Sequence, residues 1–227
     1  MKWLCSLVIA FPLLAAGNPP AGFPFTDESL TYSIVWPSGL SLGEAKLSAA
    51  HSGAGWLFDL TLDAAVPGYT VKDAYHSVAG SDLCAAEFDR DTVHGAKKTR
   101  EKTSISNGMA VRKTVGGGQS ELAVAACAHD ALTALFVARR EFGQGRVPQA
   151  EKVLFGGSYD LQLQYTGAQS IKIADVPTQA DRVFCTVTVK ENQKFEFEVY
   201  FARDAARTPL LIRVPFALGA ISMELVR

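Results

Sequence analysis

No sign of charge dominates this sequence: 22 Lys and Arg stand against 23 Asp and Glu, for a formal net charge of −1. Binding along a phosphate backbone needs a clustered positive excess, so the balance excludes nucleic acid as a general partner. Histidine is scarce. His51, His76, His94 and His129 include no pair two or four positions apart, the spacing at which one strand or helix presents two ligands, so no metal is expected. Neither an internal repeat nor a low-complexity tract occurs, and no cofactor is implied. Beyond the first seventeen residues, no apolar run approaches the roughly 20 residues that a membrane-spanning helix needs.

Those seventeen residues comprise Met1-Lys2, an apolar stretch from Trp3 to Leu14, and the small residues Ala15, Ala16 and Gly17, the layout of a secretory signal. Residues 1–16 are expected to be cleaved, leaving a periplasmic product with no stable membrane span. The apolar stretch is too short for an anchor and is broken by Pro12. Cys5 lies inside it rather than just past a small-residue cleavage site, which argues against acylation. Residues 17–26, rich in Pro and Gly, are expected to form a flexible arm, and 27–227 one β-rich domain. A chain of about 210 residues buries roughly 70% of its unfolded surface, so its core requires no metal and no dense disulfide framework.

Cysteine is the next shortage. Cleavage removes Cys5 and leaves Cys84, Cys127 and Cys185, an odd number, so at least one stays free. Cys185 sits in the strand-like run Val183-Phe184-Cys185-Thr186-Val187, where a thiol behaves as a small hydrophobe. Cys84 and Cys127 lie at segment ends and form the better pair; closing that loop would stabilise the fold by about 4 kcal/mol on the chain-entropy model. Three separate buried thiols are the alternative.

What the sequence does have is alternation with period two, the mark of strands with one buried and one solvated face. Trp56, Phe58, Leu60 and Leu62 alternate with Asp59, Thr61 and Asp63; Tyr159, Leu161, Leu163 and Tyr165 with Asp160, Gln162 and Gln164; Phe195, Phe197, Val199 and Phe201 with Glu196 and Glu198. Further runs begin at Leu30, Val183, Leu210 and Ile221, giving roughly a dozen strands. Turn residues such as Pro37-Ser38-Gly39, Gly116-Gly117-Gly118 and Gly156-Gly157 separate them, which predicts an antiparallel meander. One segment departs from the pattern. Leu132, Leu135 and Phe136 have helical spacing, with Asp130 as N-cap and Gly143 as stop, and Arg139 and Arg140 suit the carbonyl end of that helix. The expected fold is mostly β, a large curved antiparallel sheet or partly open barrel with one main helix packed across it.

Candidate chemistry is sparse. Gly39-Leu40-Ser41-Leu42-Gly43 matches a hydrolase nucleophile elbow, but that motif needs a following helix. Here Glu44-Ala45-Lys46-Leu47 continues as a strand, so a hairpin is expected. The histidines lie near acids, His129 beside Asp130 and His76 three residues after Asp73, and an acid–base pair assembled from distant residues stays open. Lys97-Lys98-Thr99-Arg100-Glu101-Lys102 is the densest charge run. On a strand it places Lys98, Arg100 and Lys102 on one face and Lys97, Thr99 and Glu101 on the other, either as a solvated strand or as a receptor for anionic groups such as lipid headgroups. Asp204 and Arg207 are expected to pair across a turn.

The stretch from Phe201 to Leu225, FARDAARTPLLIRVPFALGAISMEL, resembles the closing motif of a bacterial exported family known as domain of unknown function 3108: an acidic turn, an Arg-x-Pro step, a strand and a Gly-led final strand. Glu28–Trp36 followed by Gly39-Leu-Ser-Leu-Gly-Glu-Ala45 is similar to its opening strand and hairpin. Asp130–Phe136 with Arg139 is similar to its central segment. The resemblance implies export and a curved antiparallel sheet, and it carries over no activity and no catalytic residues.

Half-barrel carriers of the bacterial envelope offer a fold-level analogy only. Export, large inward side chains and the missing catalytic motif lead to the expectation of a non-enzymatic protein binding a lipid or other apolar or amphipathic ligand through Trp56, Phe58, Leu60, Phe195 and Phe197. The alternative is an envelope assembly or scaffold protein that engages a protein partner through an edge strand or its arm. An enzyme acting on glycans or lipids, its residues drawn from separate strands, is a third reading.

Overall fold

The structure, a computed structural model, describes residues 21–66, 68–190, 193–216 and 219–226, so the expected signal peptide lies outside the described residues. Strands β1 (Glu28–Val35), β2 (Ser41–Ser52), β3 (Gly55–Val66), β4 (Tyr69–Ala79), β5 (Ala85–His94), β6 (Lys97–Ser106), β7 (Met109–Thr114) and β8 (Gln119–Ala123) form a first meander. The short β9 (His129–Asp130) leads into helix α1 (Ala131–Gly143). A second meander follows, of β10 (Glu151–Leu154), β11 (Ser158–Ile173), β12 (Val176–Lys190), β13 (Gln193–Ala202), β14 (Pro209–Phe216) and β15 (Gly219–Leu225). The two wings join where β1 pairs with β15, with Ile34 opposite Met223. One sheet results, ordered β8-β7-β6-β5-β4-β3-β2-β1-β15-β14-β13-β12-β11-β10-β9. Only β9 with β10 is parallel. No helix among the described residues is long and apolar enough to cross a membrane.

The expected hairpin occupies the Gly-x-Ser-x-Gly stretch. Gly39 N–H donates to the Trp36 carbonyl and Trp36 N–H to the Leu40 carbonyl, each at 2.8 Å. Gly43 has no room for a side chain, since a Cβ there would lie 2.0 Å from the Asp63 carbonyl oxygen on β3. This serine is part of a turn between strands, not a nucleophile elbow.

The ends β8 and β9 do not pair, so the sheet curls without closing into a barrel. Its far sides are stitched locally instead. Ala85 N–H donates to the Ala128 carbonyl at 2.9 Å, and Cys84 and Cys127 form a disulfide with Cα atoms 4.8 Å apart. Arg112 on β7 donates to the Gly156 carbonyl in the β10–β11 turn. Cys185 is the free thiol, buried among Val183, Val199 and Phe201, where loss of solvent pushes its pKa up to about 12.

Helix α1 lies in the concavity and touches both wings. Its N-cap Asp130 accepts from the amides of Leu132 (2.8 Å) and Thr133 (3.0 Å), while Thr133 Oγ1 accepts from the Asp130 N–H (2.8 Å) in a reciprocal capping box. Ser77 of β4 donates to the same carboxylate at 2.5 Å. Phe136 stacks on Phe58 of β3 with ring centroids 3.9 Å apart, and Phe142 meets Phe201 of β13 at 5.4 Å. The helix ends at Gly143, with Gln144 as C-cap and Gly145 taking the left-handed conformation.

Three expectations need correction. Residues 21–26 are not a loose arm: Phe23 is 1% exposed and packs edge-on against Trp56, Phe58 and Phe136, a burial that outweighs the Pro- and Gly-rich composition around it. Arg139 does not serve the helix end. It points inward, and its guanidinium grips Glu28 of β1 with two bonds (2.5 and 2.9 Å), donates to the Ala206 carbonyl (3.1 Å) and lies over the rings of Phe23 and Phe136. Arg207 pairs with Asp181 of β12 at 2.6 Å rather than with Asp204, whose carboxylate is taken by Thr208.

The Arg139–Glu28 pair has side-chain exposures of 0% and 5%, so removing one partner leaves a bare charge in the core. Arg139→Met is expected to cost about 3–5 kcal/mol in urea unfolding, and Glu28→Gln/Arg139→Met to recover most of it. A double variant no more stable than Arg139→Met would rule out this account. Burial also raises the carboxyl pKa of Asp130, against the opposing pull of its hydrogen bonds from Ser77, Thr133 and Leu132. With the folded pKa above the unfolded one, ionisation opposes folding, and this group's contribution falls as pH rises from the ordinary carboxylate range toward the folded value. Asp130→Asn retains an acceptor for the amides and should flatten that part of the stability–pH curve, whereas Asp130→Ala should lose about 1–2 kcal/mol of capping. Melts of Asp130→Asn with the wild-type slope would refute the assignment.

Candidate functional site

Because α1 covers only part of the concave face, the remainder is where a ligand can be met. Its composition follows from register and alternation. Phe58 faces the helix, and its partner in β4 is Ser77, which also does; two residues further along each strand returns to the same face. The next row runs Leu47, Leu60, Tyr75, Arg90, Glu101 from β2 to β6. After it come Ala45, Leu62, Asp73, Thr92, Thr99, and then Gly43, Ala64, Val71, His94, Lys97. Each row begins apolar and ends polar. The change takes place over two strand spacings, about 10 Å.

At the polar end lies a cleft of about 200 Å³ lined by Tyr75, Arg90, Thr92, His94, Lys97, Thr99 and Phe155. Enclosed ligand pockets run to roughly 300–1,000 Å³, so the cleft matches one polar group of a ligand rather than a whole lipid. Arg90 is held by Glu101 (2.9 Å) and lies 5.1 Å from the centre of the Phe155 ring. Its Nε is buried with no hydrogen-bond partner. Asp73 binds His94 Nε2 at 2.8 Å and accepts from the Tyr75 hydroxyl at 2.9 Å. Burial first, and then this carboxylate, raise the Tyr75 pKa, so the phenol stays protonated. The β10–β11 turn forms the opposite wall. A Cβ on Gly156, which has φ +69°, would lie 3.0 Å from both terminal Arg90 nitrogens and from a Glu101 oxygen.

A family model described as "Protein of unknown function (DUF3108)" matches residues 31–226, taking in both wings, the helix and this cleft. The chain belongs to the DUF3108 family. Among solved structures, this DUF3108 chain is similar to a β-barrel-like protein of domain of unknown function DUF1849 from Brucella abortus. The TM-score is 0.65 at 10% identity, over 89% of this chain and 96% of the other. At that identity the likeness is one of fold. No curated protein matches the DUF3108 chain.

The five residues expected to meet a ligand divide. Phe58, 0% exposed, lies under Phe136 and Phe23, and Trp56 is buried beside them, so the protein's own helix and N-terminal turn occupy the place a ligand was expected to take. Leu60 is half-buried at the margin of the helix. Phe195, 45% exposed, and half-buried Phe197 lie on the inner face of β13, with ring centroids 5.8 Å apart. Sequence reasoning missed Arg90 and Phe155, and named His94 only as one of four scattered histidines. Only the charge run containing Lys97 pointed toward them.

All four histidines pair with carboxylates: His51 with Asp27 and His76 with Asp59 at 2.7 Å, His94 with Asp73 at 2.8 Å, and His129 with Glu151 at 2.5 Å. These are the acid–base pairs built from distant residues that spacing left open, and of the four histidines only His94 lines the cleft. A catalytic triad requires a nucleophile bonded to the imidazole. Among the described residues no serine or cysteine side chain is bonded to His94. Phe58→Ala is expected to lose about 3–5 kcal/mol of stability, whereas Phe195→Ala should lose less than about 1. Equal losses in chemical denaturation would mean that the two phenylalanines do not play different roles.

Proposed function

We propose that this is an exported periplasmic protein, without enzymatic activity, that binds an apolar or amphipathic ligand such as a lipid on the uncovered part of its concave face. The observation that supports it is the exposed apolar surface there. Phe195 and Val189 are exposed, while Phe197, Val187, Leu161 and Leu62 are half-buried, on inner positions of strands whose outer positions are polar or charged apart from Phe184 and a few others. Neighbouring apolar side chains left open to solvent in this way mark a contact surface. The layout of residues 1–17 supports export, and a disulfide between Cys84 and Cys127 suits an oxidising compartment.

β8 supports a second reading, as scaffold for a protein partner. It is a sheet edge whose five residues are all exposed, the geometry at which an extended segment adds as a further strand.

Native mass spectrometry of the mature protein from its own periplasm, followed by organic extraction, tests the first reading. A co-purifying amphiphile is expected, and its occupancy should fall in Phe195→Ser/Phe197→Ser. A clean mass together with no uptake of added lysolipid would overturn the reading in favour of the scaffold.

A further inference from the structure

The outer face of β6 carries three cations, Lys98, Arg100 and Lys102, and the inner face Lys97 with Glu101, and the two faces meet different neighbours. On the outer face Arg100 pairs with Asp91 (2.5 Å) and Lys102 with Glu87, both across the ladder to β5, so those cations are neutralised in place. On the inner face the cleft and its rim hold Arg90, Arg112 and Lys97 against the carboxylates of Glu101 and Asp73. Glu101 is shared between Arg90 at 2.9 Å and Arg112 at 3.7 Å, and Asp73 is taken by His94 and Tyr75. Lys97 forms no ion pair among the described residues. Three cations thus face two carboxylates.

This excess lies beside a buried Arg90 Nε without an acceptor and a buried Glu101 Oε2 without a hydrogen bond, in a cleft of headgroup size. Threonines at Thr92 and Thr99 supply further hydrogen-bonding groups, and Leu60, Leu62 and Ala64 continue the same rows as an apolar floor. An unpaired guanidinium donor and an unpaired ammonium, partly screened from water, favour an oxyanion. The adjoining apolar rows favour a hydrocarbon chain.

We propose that the Arg90–His94–Lys97 cleft binds the anionic headgroup, a phosphate or carboxylate, of a single-chain amphiphile whose chain lies along Leu60, Leu62 and Ala64. The proposal rests on the ligand-binding reading above and specifies its chemical class. It makes the polar end of the concave face the selective part and the apolar end the part that supplies affinity.

The test is calorimetric titration of the delipidated mature protein with three probes: lysophosphatidic acid, the monoacylglycerol of the same chain, and inorganic phosphate. The anionic amphiphile is expected to bind about tenfold or more tightly than the neutral one, with inorganic phosphate far weaker than either. Lys97 is exposed and unpaired, so Lys97→Gln should fold normally and lose most of that preference, and Lys97→Glu should reverse it. Leu62→Ser should weaken both amphiphiles alike. Equal binding of the two amphiphiles would overturn the headgroup site and leave the apolar reading standing. Phosphate binding as tightly as the anionic amphiphile would overturn the chain's part in it. No binding of either amphiphile would overturn the ligand reading itself.

Discussion

The buried pair of Arg139 and Glu28 is the constraint on which the arrangement of this molecule depends. Glu28 opens β1, the strand where the two wings meet, and Arg139 lies near the end of the helix that spans them. Desolvating two charges is costly, and a well-packed apolar pair would stabilise as well or better. What the ion pair provides is position. A bidentate fork with a further bond to Ala206 and two ring faces against the guanidinium tolerates little sliding, so it sets the depth and rotation of α1 in the concavity. Phe23 completes the seat, lying between Arg139 and Trp56.

From that seat follows the division of the concave face. A helix of 13 residues is about 20 Å long and covers one end of a sheet whose strands extend beyond it. Where it lies, Phe58, Phe136, Val137 and Leu132 form a closed core. Beyond it the side chains have no helix to pack against, and they are half-buried apolar groups on β3, β12 and β13 and polar groups on β4 to β6. The disulfide and the Ala85–Ala128 bond hold the far sides of the wings together near the start of α1, while β8 and β9 stay unpaired. A sheet stitched at one end and open at the other fits a ligand that is not swallowed whole.

How legible this was depended on what each strand faces. β3, β11, β13 and β15 carry apolar residues at every second position because their inner faces meet the core or the apolar wall, so alternation disclosed them. β5, Ala85–His94, was missed: it has Arg90 and His94 inside and Glu87, Asp89 and Asp91 outside, so polarity does not alternate and the period-two signal vanishes. The helix was legible through its spacing and its Asp130 cap, but the inward turn of Arg139 was not, since a cation near a helix end has an ordinary use at the carbonyls. Phe23 was hidden by the prolines and glycines around it, whose composition describes backbone stiffness and turns but not where one aromatic side chain is buried. Phe58 was assigned to a ligand because alternation identifies the inner face without showing what covers it.

That failure of pattern on β5 carries information of its own. A strand interior to a sheet, with both neighbours paired, gains most by turning apolar residues inward, and β3 two places away does so with Trp56, Phe58, Leu60 and Leu62. Placing Arg90, Thr92 and His94 there forgoes burial worth about 1.5–3 kcal/mol for each large apolar side chain and adds charges that must be hydrogen-bonded. Part of the cost is offset inside the structure, through Glu101 for Arg90 and Asp73 for His94, but the buried Nε of Arg90 and the unpaired Lys97 are not compensated by any described residue. On the outer face of β6, Arg100 and Lys102 are each set against a carboxylate one strand away, whereas Lys98, opposite Val93, forms no ion pair among the described residues, as Lys97 forms none inside. What distinguishes the inner row is burial: Arg90 Nε and Glu101 Oε2 are out of reach of solvent and without a hydrogen bond, where an unmet polar group is costly, and the proposed headgroup would supply the acceptor that the Arg90 donor lacks.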